Sequence, residues 1–143
     1  MLYKLPAAYF SGVRVRYIDE NKCAVTLPYK WLTKNPFKST YFASLSMAAE
    51  MSTGVLVMGH IYKKKPGISM LVKKIEGTFL KKATGTITFI SDDGIRISSM
   101  IREAMSSGKS ITLNTYATGK DKAGDTVAEF VITWSFMVKT GKV

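Results

Sequence analysis

The sequence predicts an α+β protein in which an antiparallel sheet of five to six strands curves around one long buried helix. Residues 35–59 are typical of a turn followed by a helix that is apolar on nearly every face, and such a helix must be enclosed by the rest of the chain. Most of the remaining sequence alternates apolar and polar residues as strands do. Because 143 residues with 46% hydrophobic content suffice for about one core, we expect a single domain over residues 1–143.

The first third of the sequence predicts a short segment before the first strand, followed by a β-hairpin. Residues 2–12, with Pro6 near the start, are typical of a short irregular or helical segment. Residues 13–18 and 23–27 alternate apolar with polar or basic side chains on either side of the polar turn 19–22. Two alternating runs around a short polar turn predict an antiparallel pair.

The long helix has boundaries that the sequence indicates. Asn35-Pro36 is a turn dipeptide, and Ser39 or Thr40 is suited to cap the first turn of the helix. The helix is expected to end at about Gly59.

The remaining chain predicts two pairs of strands separated by a short amphipathic helix that Gly108 ends. These elements are expected at residues 70–81, 84–91, 95–105, 110–118 and 126–139. The last strand has the clearest alternation in the chain, with Phe130, Ile132 and Trp134 on one face. Gly124 and Asp125 should lie in an exposed turn before it.

The charge balance implies attraction to an anion. There are 21 Lys and Arg residues against 10 Asp and Glu residues, a formal net charge of +11, which suits nucleic acid, a membrane surface or a phosphorylated ligand. The lysines occur in short groups such as 73–74 and 81–82 rather than in one block, which is typical of solvated strand ends. No stacking platform for a single strand stands out, so the pattern disfavours nucleic acid as the partner.

Metal and cofactor chemistry has few candidate residues. Cys23 and His60 are the only cysteine and histidine, which excludes an internal disulfide and leaves no metal cluster to build. We therefore expect no metal and no cofactor, an inert buried thiol at Cys23 and a solvated or capping imidazole at His60. The apolar helix is interrupted by polar residues and no cleavable leader is evident, so we expect no membrane span and a cytoplasmic protein.

Glu50 is the single carboxylate in the apolar helix. Its sequence neighbours include Ala48, Ala49, Met51 and Val55, among which an ionised group is costly unless it has partners or a task. Two interpretations remain open at this point: a structural acid paired at a subunit contact, or a general base or nucleophile.

Three local motifs, together with the order of elements, resemble the hotdog fold of acyl-CoA thioesterases and dehydratases. Asn35 through Glu50 resembles the helix-entry motif of phenylacetyl-CoA-thioesterase-type proteins, in which an acidic residue follows the Asn at this spacing. Residues 79–85, FLKKATG, resemble the F-L-R-P-A…G stretch of the same proteins, and residues 116–134, with Gly124 in the turn, resemble their closing hairpin. The combination most resembles DUF4442, a hotdog family related to thioesterases.

The chain also departs from that pattern at two places. Tyr41-Phe42-Ala43 replaces the usual His-Gly-Gly at the start of the helix, and Lys82 replaces the Pro of the F-L-R-P stretch. The glycines let a thioester approach backbone N–H groups, so larger residues there bear on whether the chain is an enzyme.

The resemblance implies a site for thioester hydrolysis. Glu50 would be the base or nucleophile, and Asn35 would orient water or hydrogen-bond the carboxylate. The oxyanion and substrate would bind at the first turn of the helix, and coenzyme A phosphates would bind at the end of a strand. The residues so implied are Tyr41, Phe42, Ala43 and Ser44 for the oxyanion and substrate, and Lys81 and Lys82 for coenzyme A. For the two lysines, solvated strand ends are the competing interpretation.

Two functions follow from these residues. The first is an acyl-CoA thioesterase-like enzyme that hydrolyses a small or medium acyl thioester and forms a homodimer or dimer of dimers with sites at the subunit interface, as the resemblance implies. The alternative is a non-catalytic module that holds an acyl or coenzyme A ligand, which the absent His-Gly-Gly favours. A nucleic-acid-binding domain rests on net charge alone.

Overall fold

The computed structural model describes residues 3–62 and 64–139, which form six strands and three α-helices. The elements are α1 (Pro6–Phe10), β1 (Arg14–Ile18), β2 (Cys23–Leu27), a 3-10 turn (Trp31–Thr33), α2 (Phe42–Ile61), β3 (Ile68–Phe79), β4 (Ile87–Ser91), α3 (Gly94–Ser107), β5 (Ile111–Lys120) and β6 (Thr126–Val138). The order of helices and strands is the one that the sequence predicts.

All six strands belong to one sheet with the order β1-β2-β4-β5-β6-β3, and every neighbouring pair is antiparallel. The longest pairing joins β3 to β6, from Ile68 opposite Val138 to Phe79 opposite Ala128. The strand β3 therefore lies at one edge of the sheet although it is third in the chain. The predicted curved antiparallel sheet of five to six strands is confirmed.

The helix α2 packs across the sheet, against β2, β4, β5 and β6. Small side chains at Ala48 and Ala49 are fully buried beside Leu56 and Val57, because only short side chains let a helix approach a pleated surface this closely. By length and hydropathy alone α2 could span a membrane, but its burial makes it the core helix of this fold.

The helix begins later than the predicted caps. Tyr41 is the N-cap residue and makes no side-chain capping bond. Ser39 instead donates its hydroxyl to Asn35 Oδ1 at 3.2 Å, and the buried Thr40 Oγ1 has no hydrogen-bond partner among the described residues. The predicted cap at Ser39 or Thr40 is wrong because backbone bonds hold this stretch extended: Thr40 N–H donates to Ala83 O at 2.8 Å.

The boundaries of β3 and β4 also differ from the prediction. The strand β3 ends at Phe79 rather than at Lys81, and β4 begins at Ile87 rather than at residue 84. Leu80 and Lys81 both direct their N–H groups to the carbonyl of Val127, so the regular ladder stops there and a longer loop, residues 80–86, follows.

The turn between β5 and β6 is exposed, as predicted. Asp121 Oδ1 accepts the N–H groups of Ala123 and Asp125, both at 3.0 Å, and Gly124 has a φ of +89°, a conformation that favours glycine. Gly108 likewise ends α3 with a φ of +68°.

Candidate active site around helix α2

Asn35 organises the loop that leads into α2. Its side-chain oxygen accepts the N–H of Phe37 at 2.9 Å and both the N–H and hydroxyl of Ser39 at 3.3 and 3.2 Å. Its own N–H donates to Ser39 O at 2.8 Å. These bonds make an Asx turn, so the amide oxygen of Asn35 is already occupied within the loop.

An open cleft of about 400 Å³ lies at the start of α2. One wall comes from the loop and the first turn of α2, and the other from the loop between β3 and β4. Its lining residues are Asn35, Ser39, Thr40, Phe42, Leu45 and residues 79–83. The cleft thus brings together four of the predicted site residues, namely Asn35, Phe42, Lys81 and Lys82.

The first turn of α2 offers two N–H groups as donors. Tyr41 N–H donates to Thr33 O at 2.7 Å, and Ser44 N–H donates to Tyr41 O at 3.0 Å. Among the described residues, no acceptor is bonded to the N–H groups of Phe42 and Ala43. The positive end of a 20-residue helix therefore presents two available donors, while Ser44 is buried.

The two lysines of the cleft differ in their partners. Lys81 Nζ lies 2.7 Å from Asp121 Oδ2 and 2.8 Å from Asp125 Oδ2, and these hydrogen bonds raise the pKa of Lys81. Its charge is compensated by the turn between β5 and β6. Lys82 is exposed and forms no ion pair within the part of the chain that the structure describes.

Glu50 lies farther along α2 and does not line the cleft. It is half-buried, and a Cβ atom added at Gly54 would stand 3.2 Å from Glu50 Oε1 and 3.2 Å from Trp134 Cζ2. The carboxylate therefore lies in a notch that Gly54 leaves open beside the indole of Trp134, which is fixed by its hydrogen bond to Thr53 Oγ1 at 3.0 Å.

The carboxylate of Glu50 has an unusual environment for a charged group. No hydrogen bond or ion pair reaches it from the described residues, and burial raises the pKa of Glu50 above its ordinary value of 4.5. An acid without a partner in a partly desolvated notch is suited to proton transfer.

Other titratable groups of the predicted set contribute little to this site. Burial raises the pKa of the Cys23 thiol to about 11, so the thiol is protonated at neutral pH. His60 Nε2 lies 2.8 Å from Glu20 O at the opposite end of α2. No group of three His, Cys, Asp or Glu side chains that could hold a metal occurs within residues 3–62 and 64–139.

Sequence reasoning missed the notch itself. Gly54 follows Glu50 by four residues and so shares its face of the helix, a signal that is readable from the sequence. The contact with Trp134 is not readable in that way, because it depends on how β6 is placed in the sheet.

A family comparison and the fold agree on where this chain belongs. The family described as "Domain of unknown function (DUF4442)" matches residues 1–136. The chain belongs to the DUF4442 family. No curated protein matches it.

Solved structures share the fold of this DUF4442 chain at low sequence identity. A Pseudomonas aeruginosa protein of unknown function, described as a probable thioesterase, is similar with 22% identity and a TM-score of 0.84, over 96% of this chain and 91% of that one. A Chlorobaculum tepidum protein of unknown function has 15% identity and a TM-score of 0.82, over 96% and 89%. A Haemophilus influenzae thioesterase has 12% identity and a TM-score of 0.70, over 92% and 82%. The predicted hotdog fold is confirmed.

Proposed function

We propose that this protein is an acyl-CoA thioesterase-like enzyme that hydrolyses a small or medium acyl thioester, with Glu50 as general base or nucleophile. The observation that carries the proposal is the half-buried Glu50 carboxylate, which has a raised pKa and no partner among the described residues. Similarity to proteins described as thioesterases from Pseudomonas aeruginosa and Haemophilus influenzae supports the reaction class.

The proposed reaction follows from the groups at hand. Glu50 takes a proton from water, and the hydroxide that results attacks the thioester carbonyl carbon. The oxyanion of the tetrahedral intermediate accepts hydrogen bonds from the N–H groups of Phe42 and Ala43. When the carbon–sulfur bond breaks, the departing thiolate takes the proton back from Glu50. If Glu50 attacks directly, the carbon–sulfur bond breaks as an acyl–Glu50 anhydride forms; water then hydrolyses the anhydride to the free acid and the Glu50 carboxylate, and the proton that is released goes to the thiolate.

The proposed site needs two copies of the chain. Ala43 and Glu50 are seven residues apart on one helix, which separates them by roughly 10 Å along its axis. One thioester carbonyl cannot contact both, so the N–H donors facing a given Glu50 come from a second subunit. A homodimer, or a dimer of dimers, supplies that arrangement, and the edge strand β3 is the natural place for pairing because one side of it has no neighbour among the strands that the structure describes.

The remaining predicted residues have supporting roles in this proposal. Asn35 holds the loop that positions the first turn of α2, and Lys82 is the better candidate for a coenzyme A phosphate because Lys81 is paired with Asp121 and Asp125. The reaction as proposed uses no cofactor and takes place in the cytoplasm.

The test is hydrolysis of a panel of acyl-CoA thioesters by the wild type, Glu50→Gln and the control Glu103→Gln, which alters an exposed acid on α3. We expect Glu50→Gln to lower turnover by about 10²-fold or more with the fold retained, since a general base contributes ~10²–10⁴. Glu103→Gln should match the wild type. Activity retained in Glu50→Gln would remove Glu50 from the mechanism.

The second candidate function is a binding module for an acyl or coenzyme A ligand. The observation that favours it is the ring of Phe42, which packs edge-on to Phe79 at 6.4 Å across the cleft, in the place where the thioesterase-like pattern has glycine. A wild type that binds acyl-CoA in calorimetry but hydrolyses no member of the panel would establish this function and exclude the enzyme.

A further inference from the structure

The loop between β2 and α2 exposes large apolar side chains that the proposed hydrolysis does not use. Trp31 is 77% exposed and Phe37 is 74% exposed, and Leu32 between them is also exposed. Several large exposed apolar side chains in one short loop are more typical of an interaction site than of a solvated loop.

Lysines alternate with these side chains. Lys30, Lys34 and Lys38 are exposed, and none of them forms an ion pair with a described residue. No acidic residue occurs in the chain from Asn21 to Ala49. The positive charge of the loop is therefore locally uncompensated.

The loop borders a depression to which Lys34, Pro36 and Phe37 contribute. Tyr41 and Phe42 also line this depression, but they belong to the proposed substrate site and not to the loop surface. We call the exposed apolar residues and lysines of the loop the aromatic-lysine surface; it comprises Lys30, Trp31, Leu32, Lys34, Phe37 and Lys38.

The loop backbone is held in place by its own hydrogen bonds. Thr33 Oγ1 donates to Pro28 O at 2.9 Å and accepts the N–H of Lys30 at 2.9 Å, and Asn35 closes the other half of the loop. Trp31 and Phe37 are thus presented on an ordered loop, which lowers the entropy lost when they bind a partner.

We propose that the aromatic-lysine surface docks this protein on an anionic lipid bilayer. Trp and Phe side chains partition into the interfacial region of a bilayer, and lysines beside them are attracted to anionic headgroups. A second copy of this chain is the poorer occupant of this loop, because the loops of two copies would face lysines with lysines, and no acidic residue between Asn21 and Ala49 could pair with them. Nucleic acid is also poorer, because the surface offers only two aromatic rings for base stacking, those of Trp31 and Phe37.

The experiment is cosedimentation of the full chain with phosphatidylcholine vesicles that contain either no phosphatidylglycerol or about 30% of it, at roughly 0.1 M salt. We expect binding only to the vesicles with phosphatidylglycerol. The triple variant Lys30→Gln, Lys34→Gln, Lys38→Gln should lower the partition coefficient by about 100-fold, since each lysine near the surface contributes about fivefold.

Matched control variants test whether vesicle binding depends on the residues of this loop or on the charge and hydrophobicity of the whole protein. The triple variant Lys73→Gln, Lys109→Gln, Lys122→Gln removes the same charge from exposed positions elsewhere and should change the partition coefficient by less than about fivefold. Phe37→Ser should weaken binding by about tenfold.

A last control, Ile95→Ser, alters an exposed apolar residue on α3 and should leave vesicle binding unchanged.

Three results would overturn the proposal. One is equal and weak sedimentation with both kinds of vesicle. Another is an equal loss of vesicle binding in the two triple lysine variants, which would show that binding depends on the net charge of the protein and not on this loop. The third is a Phe37→Ser variant that binds vesicles as the wild type does but changes the oligomeric state in analytical ultracentrifugation, which would assign the surface to a second copy of the chain.

Discussion

Glu50 is partly buried, so that ionising its carboxyl group costs free energy. Burial raises the pKa of Glu50 from its ordinary value of 4.5, so the folded protein holds this proton to a higher pH than the unfolded chain does. The stabilising effect of that proton is fully present below pH 4.5 and is lost as pH rises through the higher folded pKa.

The prediction that follows concerns stability against pH. Glu50→Gln should raise the melting temperature more at pH 7.5 than at pH 4, because the amide never carries the charge that the notch disfavours. Thermal melts of wild type and variant at the two pH values measure the difference. A change that is the same at both values would mean that Glu50 is not desolvated in solution.

Single residues also show where the sequence is informative and where it is not. Glu50 can be selected from its apolar neighbours alone, and the structure leaves it half-buried. Asn35 was expected either in a turn or in catalysis, and the hydrogen bonds to Phe37 and Ser39 are those of a turn. The pairing of Lys81 with Asp121 could not be predicted, because the two residues are far apart in sequence.

At the scale of elements, α3 is fixed by contact with the turn between β1 and β2. A Cβ atom added at Gly94 would lie 2.0 Å from Glu20 O and 2.5 Å from Asn21 Cα. These are backbone atoms, which cannot yield as a flexible side chain can. Gly94 N–H also donates to Asn21 O at 3.0 Å, so the first residue of α3 lies directly on the hairpin turn.

We therefore expect Gly94→Ala to lower the free energy of unfolding by about 1–3 kcal/mol, the usual range for overpacking. Urea denaturation provides the measurement. The control is Gly59→Ala in α2, where no atom of the described residues outside the helix's own backbone lies within 4 Å of an added Cβ; it should be neutral or stabilising by up to about 1 kcal/mol. Equal stability of Gly94→Ala and wild type would show that the turn can move away from α3.

Each helix and strand could be predicted from the sequence, but its boundaries depend on hydrogen bonds to residues that are far away in the sequence. Two-residue alternation identifies β6 because the strand is long and one of its faces is apolar at every position from Ala128 to Val138. The predicted starts of α2 and β4 were too early, because the N–H of Thr40 donates to Ala83 O and this bond keeps both segments outside the helix and the strand ladder. Short-range signals such as caps do not report such long-range bonds.

For the whole molecule, the proposed function requires a dimer in which each site takes Glu50 from one subunit and the first turn of α2 from the other. Phe42→Pro tests the contribution of the first turn of α2, because Pro lacks the backbone N–H and yet fits the first position of a helix. Tyr41 before it already has an extended conformation, with φ −64° and ψ 134°, which suits a residue that precedes Pro.

Mixing Phe42→Pro with Glu50→Gln should then restore activity that neither variant has alone. Random exchange makes about half of the dimers mixed, each with one intact site, so about a quarter of wild-type activity is expected. Phe42→Ala, which keeps the N–H, is the control for loss of the ring. Sedimentation of the wild type as a folded monomer at micromolar concentration, or no recovery after mixing, would contradict a shared site.

The position of β3 in the sheet also constrains how the chain reaches its native state. Ile68 pairs with Val138 and Phe79 with Ala128, so β3 cannot form this pairing until residues 126–138 have left the ribosome. Contacts this distant in sequence close late and slowly. Until they close, Leu71 and Ile75 remain on an unpaired strand, and a nascent chain of this protein is then most exposed to aggregation and most dependent on chaperones.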